Sequence, residues 1–354
     1  MTQTHFVKDN GVKLPVDDKY LLPFLSPTSK GTQYWDRPPS VPEELHRRFG
    51  RIFLQVHQLL DLLLRAGIDL KDRRMLDIGT GNGMIPRLML RYSALRAAVG
   101  SDRYLENTHK TSSPLYDRDR IFEDMCALIE QKCPGEFAFE KYAAMTKGHQ
   151  HHSLKPGPVP YTVQTGKDFS FQQVGAHDLD KLEGKYDLIY CKAIDHISDW
   201  NRIFEAISAV AGDDAVVCIK HFSFFSYLGP HRYATTNIPW GHLLLTDDEY
   251  RRFAREFHPH RADQMIDFYF NGLAYPRTPM SGLLQIALRH GFYTHTVINE
   301  PLRNTAEVQP MTAVVPDFWK LLAVNHPTAS AEELFSGRYH ILFRRLPAAQ
   351  RRAA

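Results

Sequence analysis

Residues 75–83 read Met-Leu-Asp-Ile-Gly-Thr-Gly-Asn-Gly, and MIPRLMLRY follows over 84–92. A short apolar run ends in Asp77. Glycines then occupy alternate positions, Gly79, Gly81 and Gly83. The pattern is a strand, a tight loop free of side chains, and a helix start. Such a loop lets a ligand lie directly on backbone. A dinucleotide fingerprint needs G-x-G-x-x-G, but its third position here is Met84 counted from Gly79, or Pro86 counted from Gly81. A P-loop would continue with Gly-Lys-Ser/Thr, and this segment does not.

Outward from this stretch, strands and helices alternate. The spacing predicts strands at 74–78, 96–101, 171–175, 186–191 and 215–222, with a helix around 199–211 closed by Gly212. The pattern breaks at 223 and resumes near 280. There a helix stopped by Gly291 leads into the strand FYTHTVINE, and a last strand covers 338–345. Short apolar strands between helices predict a mostly parallel sheet covered on both faces. Ahead of it, residues 1–39 read as an ordered but irregular arm. A helix starts near Ser40, with Glu43 completing a capping box, and stops at Gly67. The expected organisation is an arm and helix over 1–72, a core over 73–222, an insertion over 223–278, the rest of the core over 279–346, and a disordered tail over 347–354.

The 354 residues are 43% hydrophobic and 23% charged, ordinary for a globular protein with a sizeable core. The formal charge of +3, from 43 basic and 40 acidic residues, is too weak to imply nucleic acid. Cys191 and Cys218 sit in apolar strand-like runs, and no C-x-x-C pair exists, so a reducing, cytoplasmic home is expected. The N-terminus lacks an apolar signal core, and no apolar run approaches 18 residues. The histidines at 149, 151 and 152 read as a solvated loop, and no metal is expected.

With Asp77 leading the three glycines, the segment resembles motif I of the class I S-adenosylmethionine-dependent methyltransferases. The resemblance implies a Rossmann-like seven-stranded sheet, an S-adenosylmethionine cofactor, and contacts to it from Asp77, Gly79, Gly81 and Gly83. It also implies an acid after the second strand for the cofactor ribose, and Asp102 stands there, 25 residues beyond Asp77. An acid after the third strand would take the adenine amino group, and Asp178 fits. The run from 186 to 221 resembles the stretch between the family's fourth and fifth strands, with Asp195-His196 in place of a Glu-His pair. Cys191, ending the fourth strand, joins the cofactor-contact candidates. The motifs of DNA amino-methylating and RNA cytosine-C5 enzymes are absent after that strand, where Tyr190-Cys191-Lys192-Ala193 stands.

The insertion is dense in aromatic residues. Gly229-Pro230-His231 followed by Ile238-Pro239-Trp240-Gly241-His242 looks like bacterial methyltransferases of glycan and cell-surface polysaccharide synthesis. The segment reads equally as an aromatic mini-core and as a pocket lining. The expected acceptor is a small molecule or glycan, methylated most plausibly at oxygen, with nitrogen methylation or a catalytically silent scaffold as alternatives. A hydroxyl acceptor needs a base, and histidine suits neutral pH. The candidates are His231, His242, His221 and His196. His231 is favoured, because the Gly229-Pro230 turn can aim it into a cleft.

Overall fold

The computed structural model describes residues 4–24, 42–104, 118–143, 154–302 and 305–351. Its central sheet has seven strands: β1 (Arg74–Ile78), β2 (Ala97–Ser101), β3 (Asp168–Gln172), β4 (Tyr186–Cys191), β5 (Ala211–His221), β6 (Phe292–Pro301) and β7 (Ser336–Arg345). They lie in the order β6-β7-β5-β4-β1-β2-β3. The pairs among β3, β2, β1, β4 and β5 are parallel, and β7 runs antiparallel to both neighbours. Ile78 pairs with Ser101 and with Cys191, and Cys191 with Ile219. The carboxyl ends of these strands are therefore level, and their loops emerge along one edge. That edge is where open α/β sheets bind ligands.

One face is covered by α1 (Pro42–Arg65), α2 (Met84–Tyr92) and α3 (Arg118–Lys132). Leu59, Leu63, Leu88 and Met125 pack there with Met75, Tyr190 and Cys218. On the other face α4 (Trp200–Val210) and α7 (Met280–Arg289) bring Phe204, Ile207 and Leu283 against Ile189, Val217 and Ile341. Burial on both faces explains why these strands read as unbroken apolar runs rather than alternating ones.

A third core joins the arm to the insertion. Thr4–Val7 and Lys13–Val16 form an antiparallel hairpin, so the arm expected to be irregular carries regular structure. Its Phe6 packs edge-on against Phe253 of α5 (Asp247–Phe257). Tyr250 of α5 stacks on Tyr269 of α6 (Ala262–Asn271), and Trp240 is buried in the same cluster. Glu249 caps the α5 N-terminus and also pairs with buried Lys8. The expected capping box at Ser40 lies outside the described residues.

Three boundaries differ from the sequence reading. β3 spans 168–172 rather than 171–175, because Phe169 and Phe171, not the residues after them, register with Ala98 and Gly100 of β2. β5 begins at Ala211, so Gly212 lies inside a strand instead of closing a helix; Ala211 already pairs with Tyr186. In the tail expected to be disordered, Ala348–Arg351 forms one helical turn, with Gln350 N–H donating to the Pro347 carbonyl. Among the described residues no helix is long and apolar enough to cross a membrane.

Candidate functional site

Two loops at the level strand ends build the first half of the site. Gly79, Gly81 and Gly83 have φ of 67°, 61° and 71°, the left-handed region open to glycine. A Cβ on Gly79 would lie 2.8 Å from the Ala193 Cβ in the loop after β4. The turn is thus pressed onto its neighbour as only glycine allows. Asp102 ends β2 and accepts from Gly81 N at 2.8 Å and from Tyr104 N at 3.1 Å, one bond per carboxylate oxygen. Each oxygen keeps a lone pair for a further donor.

Asp77 lies beneath the loop, 2% exposed, and accepts from Thr80 Oγ1 at 2.6 Å. Burial pushes its carboxyl up to about 7, against the Thr80 hydrogen bond and the charge of Lys192. Cys191 is fully buried within the α4 face of the core, its thiol pushed up to about 12 by burial. Its side chain packs inward while its backbone ends β4 beside the loop. Asp178 opens a short turn after β3, with its carboxylate paired to Lys181 at 2.9 Å and half exposed.

The second half of the site follows β4 and β5. Asp195 Oδ2 lies 3.1 Å from His231 Nε2 and 3.7 Å from His196 Nε2. His196 Nδ1 meets the Gly272 carbonyl at 2.8 Å. Burial alone would raise Asp195, but the hydrogen bond from His231 and the facing histidines outweigh it and bring the carboxyl down to about 2. A carboxylate only accepts, so His231 donates from Nε2. The local backbone is constrained. A Cβ on Gly229 would sit 2.1 Å from the Phe224 carbonyl oxygen, and His231 itself has φ 53°, rare outside glycine. Such departures persist where surrounding structure holds them, and they concentrate at functional sites.

Beside this pair is a pocket lined by Asp195, Trp200, His221, Phe222, Phe224 and Arg277. His221 is 2% exposed, and neither ring nitrogen has a partner among the described residues. Burial brings it down to about 4. His242 is placed differently. It is buried, with Nε2 on the Phe224 carbonyl at 3.0 Å, and burial brings it down to about 3. Its ring packs edge-on against Phe224, as in a core. Asp195, His196 and His231 hold atoms of metal-ligand type within 4.8 Å of one another. The 3.1 Å contact has the length of a hydrogen bond, which a proton satisfies. The histidines at 149, 151 and 152 lie outside the described residues.

The sequence reading missed Asp195 as the partner of His231, and it missed Lys192. That lysine is hydrogen-bonded to Gln55 of α1 at 3.1 Å, and burial and neighbouring arginines bring it down to about 7. Its signal was a lysine directly following an apolar strand.

A family model described as a methyltransferase domain matches residues 45–264, more than half of the chain. No curated protein matches the chain by sequence. Among solved structures, the chain is similar to mycolic acid cyclopropane synthase CmaA1 complexed with SAH and CTAB (TM-score 0.41, 13% identity, 93% of this chain and 94% of that one). It is also similar to magnesium protoporphyrin IX methyltransferase from Synechocystis PCC 6803 with bound SAH (TM-score 0.39, 15% identity, 93% and 100% covered). A third is an S-adenosylmethionine-dependent methyltransferase from Mesorhizobium loti (TM-score 0.37, 13% identity, 80% and 96% covered). Likeness at this level carries no functional argument of its own. The family match, with the glycine loop and the sheet order, does. The chain therefore belongs to the methyltransferase-domain family and is a class I S-adenosylmethionine-dependent methyltransferase, with S-adenosylmethionine as its cofactor.

Proposed function

We propose that this enzyme methylates a hydroxyl of a small-molecule or glycan acceptor, with His231 as general base held by Asp195. The observation that carries the reading is the 3.1 Å contact between His231 Nε2 and Asp195 Oδ2, where Asp195 lines an aromatic pocket and the His231 ring lies 5.5 Å from Phe222 of its wall.

The residues present fit the cofactor. Left-handed Gly79 and Gly81 leave bare backbone at the end of β1, and Asp102 retains two acceptor positions suited to vicinal ribose hydroxyls. Asp77, raised toward neutrality by burial, gains its charge readily once a cationic group approaches. Asp178 is the acceptor we assign to the adenine amino group, and Cys191 contributes its backbone. S-adenosylmethionine supplies an electrophilic methyl group when bound.

The chain itself must align the acceptor, exclude water and remove one proton. Trp200, Phe222 and Phe224 provide the apolar wall. The acceptor hydroxyl gives its proton to His231 Nδ1, and the Asp195 carboxylate stabilises the resulting imidazolium. His221 offers an unsatisfied ring to a polar group of the acceptor, and its depressed basicity suits it to hydrogen bonding rather than proton storage. His196, turned toward Asp195 by the Gly272 carbonyl, stands 3.7 Å from the same carboxylate.

Turnover of cofactor to S-adenosylhomocysteine, screened over alcohol and amine acceptors with wild type and His231→Ala, tests the reading. Loss restricted to alcohol acceptors supports it. Equal activity of the variant on both classes overturns it in favour of an amine acceptor aligned by proximity.

A further inference from the structure

A group of basic side chains, Lys192 among them, collects between α1 and the carboxyl end of the sheet, next to the site. Tyr190, Cys218 and Leu342 point into the α1 face. By strand alternation Lys220 on β5, and His340 and Arg338 on β7, share that face, and His340 registers with Lys220. Lys192 reaches the same place from the end of β4. α1 answers with Gln55 and Gln58, one turn apart. Lys192 Nζ donates to Gln55 Oε1 at 3.1 Å, and Lys220 Nζ donates to Gln58 Oε1 at 2.7 Å.

The pairing is unusual in its charges. Lys220 is 8% exposed, and its hydrogen-bond partner among the described residues is a neutral amide, not a carboxylate. An ammonium has three donors, and the structure gives each lysine one hydrogen bond among the described residues. Glu300 is the carboxylate beside Lys220, and it accepts from Gln58 at 3.4 Å and meets His340 at 3.1 Å. Arg338 and Arg51 lie close enough to hold both lysines below their usual range, after the larger effect of burial. Gln55, Lys220 and His340 line a small cavity at one side of this group, with Leu59, Leu62, Tyr190, Cys218 and Ile219 as its apolar wall. Buried like charges repel, and an anion in that cavity would relieve them while taking up the remaining donors of Lys220.

We propose that this cavity is a subsite for an oxyanion carried by the methyl acceptor, a carboxylate or a phosphoryl or sulfuryl group. The proposal rests on the acceptor reading above. The glycine loop follows β1, whereas Lys220 and Arg338 stand two and three strands away, about 10–14 Å at the usual strand spacing. That offset places the anion on the acceptor's side. Lys192 is also within electrostatic reach of Asp195, which ties the subsite to the base.

The test is calorimetric titration of full-length protein with inorganic phosphate and with acetate, at constant ionic strength with chloride as control, alone and saturated with S-adenosylhomocysteine. Saturable binding of either anion in both states is expected, weakened at least tenfold by Lys220→Met and by Arg338→Gln. S-adenosylhomocysteine affinity should stay within about twofold in both variants. The stronger of the two anions identifies the acceptor's group. Three results overturn the proposal: heats no different from chloride, anion binding unchanged in the variants, or joint loss of anion and S-adenosylhomocysteine, which would give the cations to the cofactor's own carboxylate. If Lys220→Met does not fold, Arg338→Gln, at a side chain that is not fully buried, still decides. Failure of wild type to bind S-adenosylhomocysteine would strike the methyltransferase reading instead, whatever the anions do.

Discussion

Asp195 and His231 are 36 residues apart in the chain, yet Oδ2 of one and Nε2 of the other lie 3.1 Å apart. The contact joins the loop after β4 to the first turn of the insertion. It commits the Nε2 edge of the imidazole to Asp195 and leaves the Nδ1 edge as the one free to meet an acceptor in the proposed reaction.

His231→Ala is expected to lower turnover at least about 100-fold, within the usual range for general-base catalysis. Cofactor affinity should change by no more than a few-fold. Higher pH should restore part of the loss, since the acceptor alcohol then needs less help. Asp195→Asn should approach the same deficit with the geometry intact, because an amide can donate to Nε2 and favour the wrong tautomer. Steady-state kinetics across pH, with calorimetry on S-adenosylhomocysteine, separate these effects. Near-normal turnover in His→Ala variants at 231, 221, 196 and 242 would end the hydroxyl reading.

The glycine loop yields a binding prediction. Gly81→Val should abolish cofactor binding while circular dichroism shows a folded chain, because φ 61° is strained for a β-branched residue and the side chain enters the ligand's volume. Asp102→Ala should weaken binding by roughly 2–3 kcal/mol, for a lost charged acceptor. Part of that loss will come from the loop itself, since Asp102 also holds Gly81 N. Wild-type affinity in both variants would remove the argument from this motif.

Asp77 sets a pH dependence on the cofactor-free protein. Its folded pKa, about 7, lies above the unfolded value of about 3.9. Protons therefore favour the fold. The contribution is complete below about pH 4, is lost as pH rises toward 7, and stays lost above. Asp77→Asn should then raise the melting temperature at pH 8, and the advantage should vanish by pH 4. Thermal melts at the two pH values decide, and an equal shift at both would mean that burial of the charge is not the cause.

Lys8 and Glu249 latch the N-terminal hairpin to α5, both nearly buried. Glu249→Ala leaves the ammonium uncompensated and should cost about 3–5 kcal/mol. Hydrogen exchange should speed up first over 4–16 and 247–257. Uniform acceleration across the sheet as well would show that the arm and insertion do not open as a unit.

The parts legible in the sequence were those set by neighbours along the chain. Strand, glycine loop and helix at 74–92 came from local pattern, as did Asp102 at the end of the next strand. Parts set by distant partners were not legible. Lys8 meets Glu249 across 241 positions and Lys220 meets Gln58 across 162, and periodicity carries no trace of either. β3 was displaced because an edge strand has one neighbour, and its alternating exposed and half-buried residues give weak punctuation. Gly212 was misread for a different reason: a glycine after an apolar helix looks like a stop, whether the chain then turns or enters a strand directly. His242 shares a motif with Trp240, but aromatic packing took it into the core.

The late position of β7 in the chain bears on how the molecule is made. Ser336–Arg345 is synthesised after the six other strands of the sheet, yet it sits between β5 and β6, and among the described residues β6 has no other partner in the sheet. Until residue 345 leaves the ribosome, β5 presents a bare edge and Lys220 lacks its neighbours on β7. At about 5–20 residues per second the nascent chain spends several seconds in that state after β5 emerges. The glycine loop is built early, but this part of the sheet closes only once residues 336–345 are available. The pairing of Tyr339 with His221 therefore closes a loop of about 120 residues, the kind of non-local contact that slows folding.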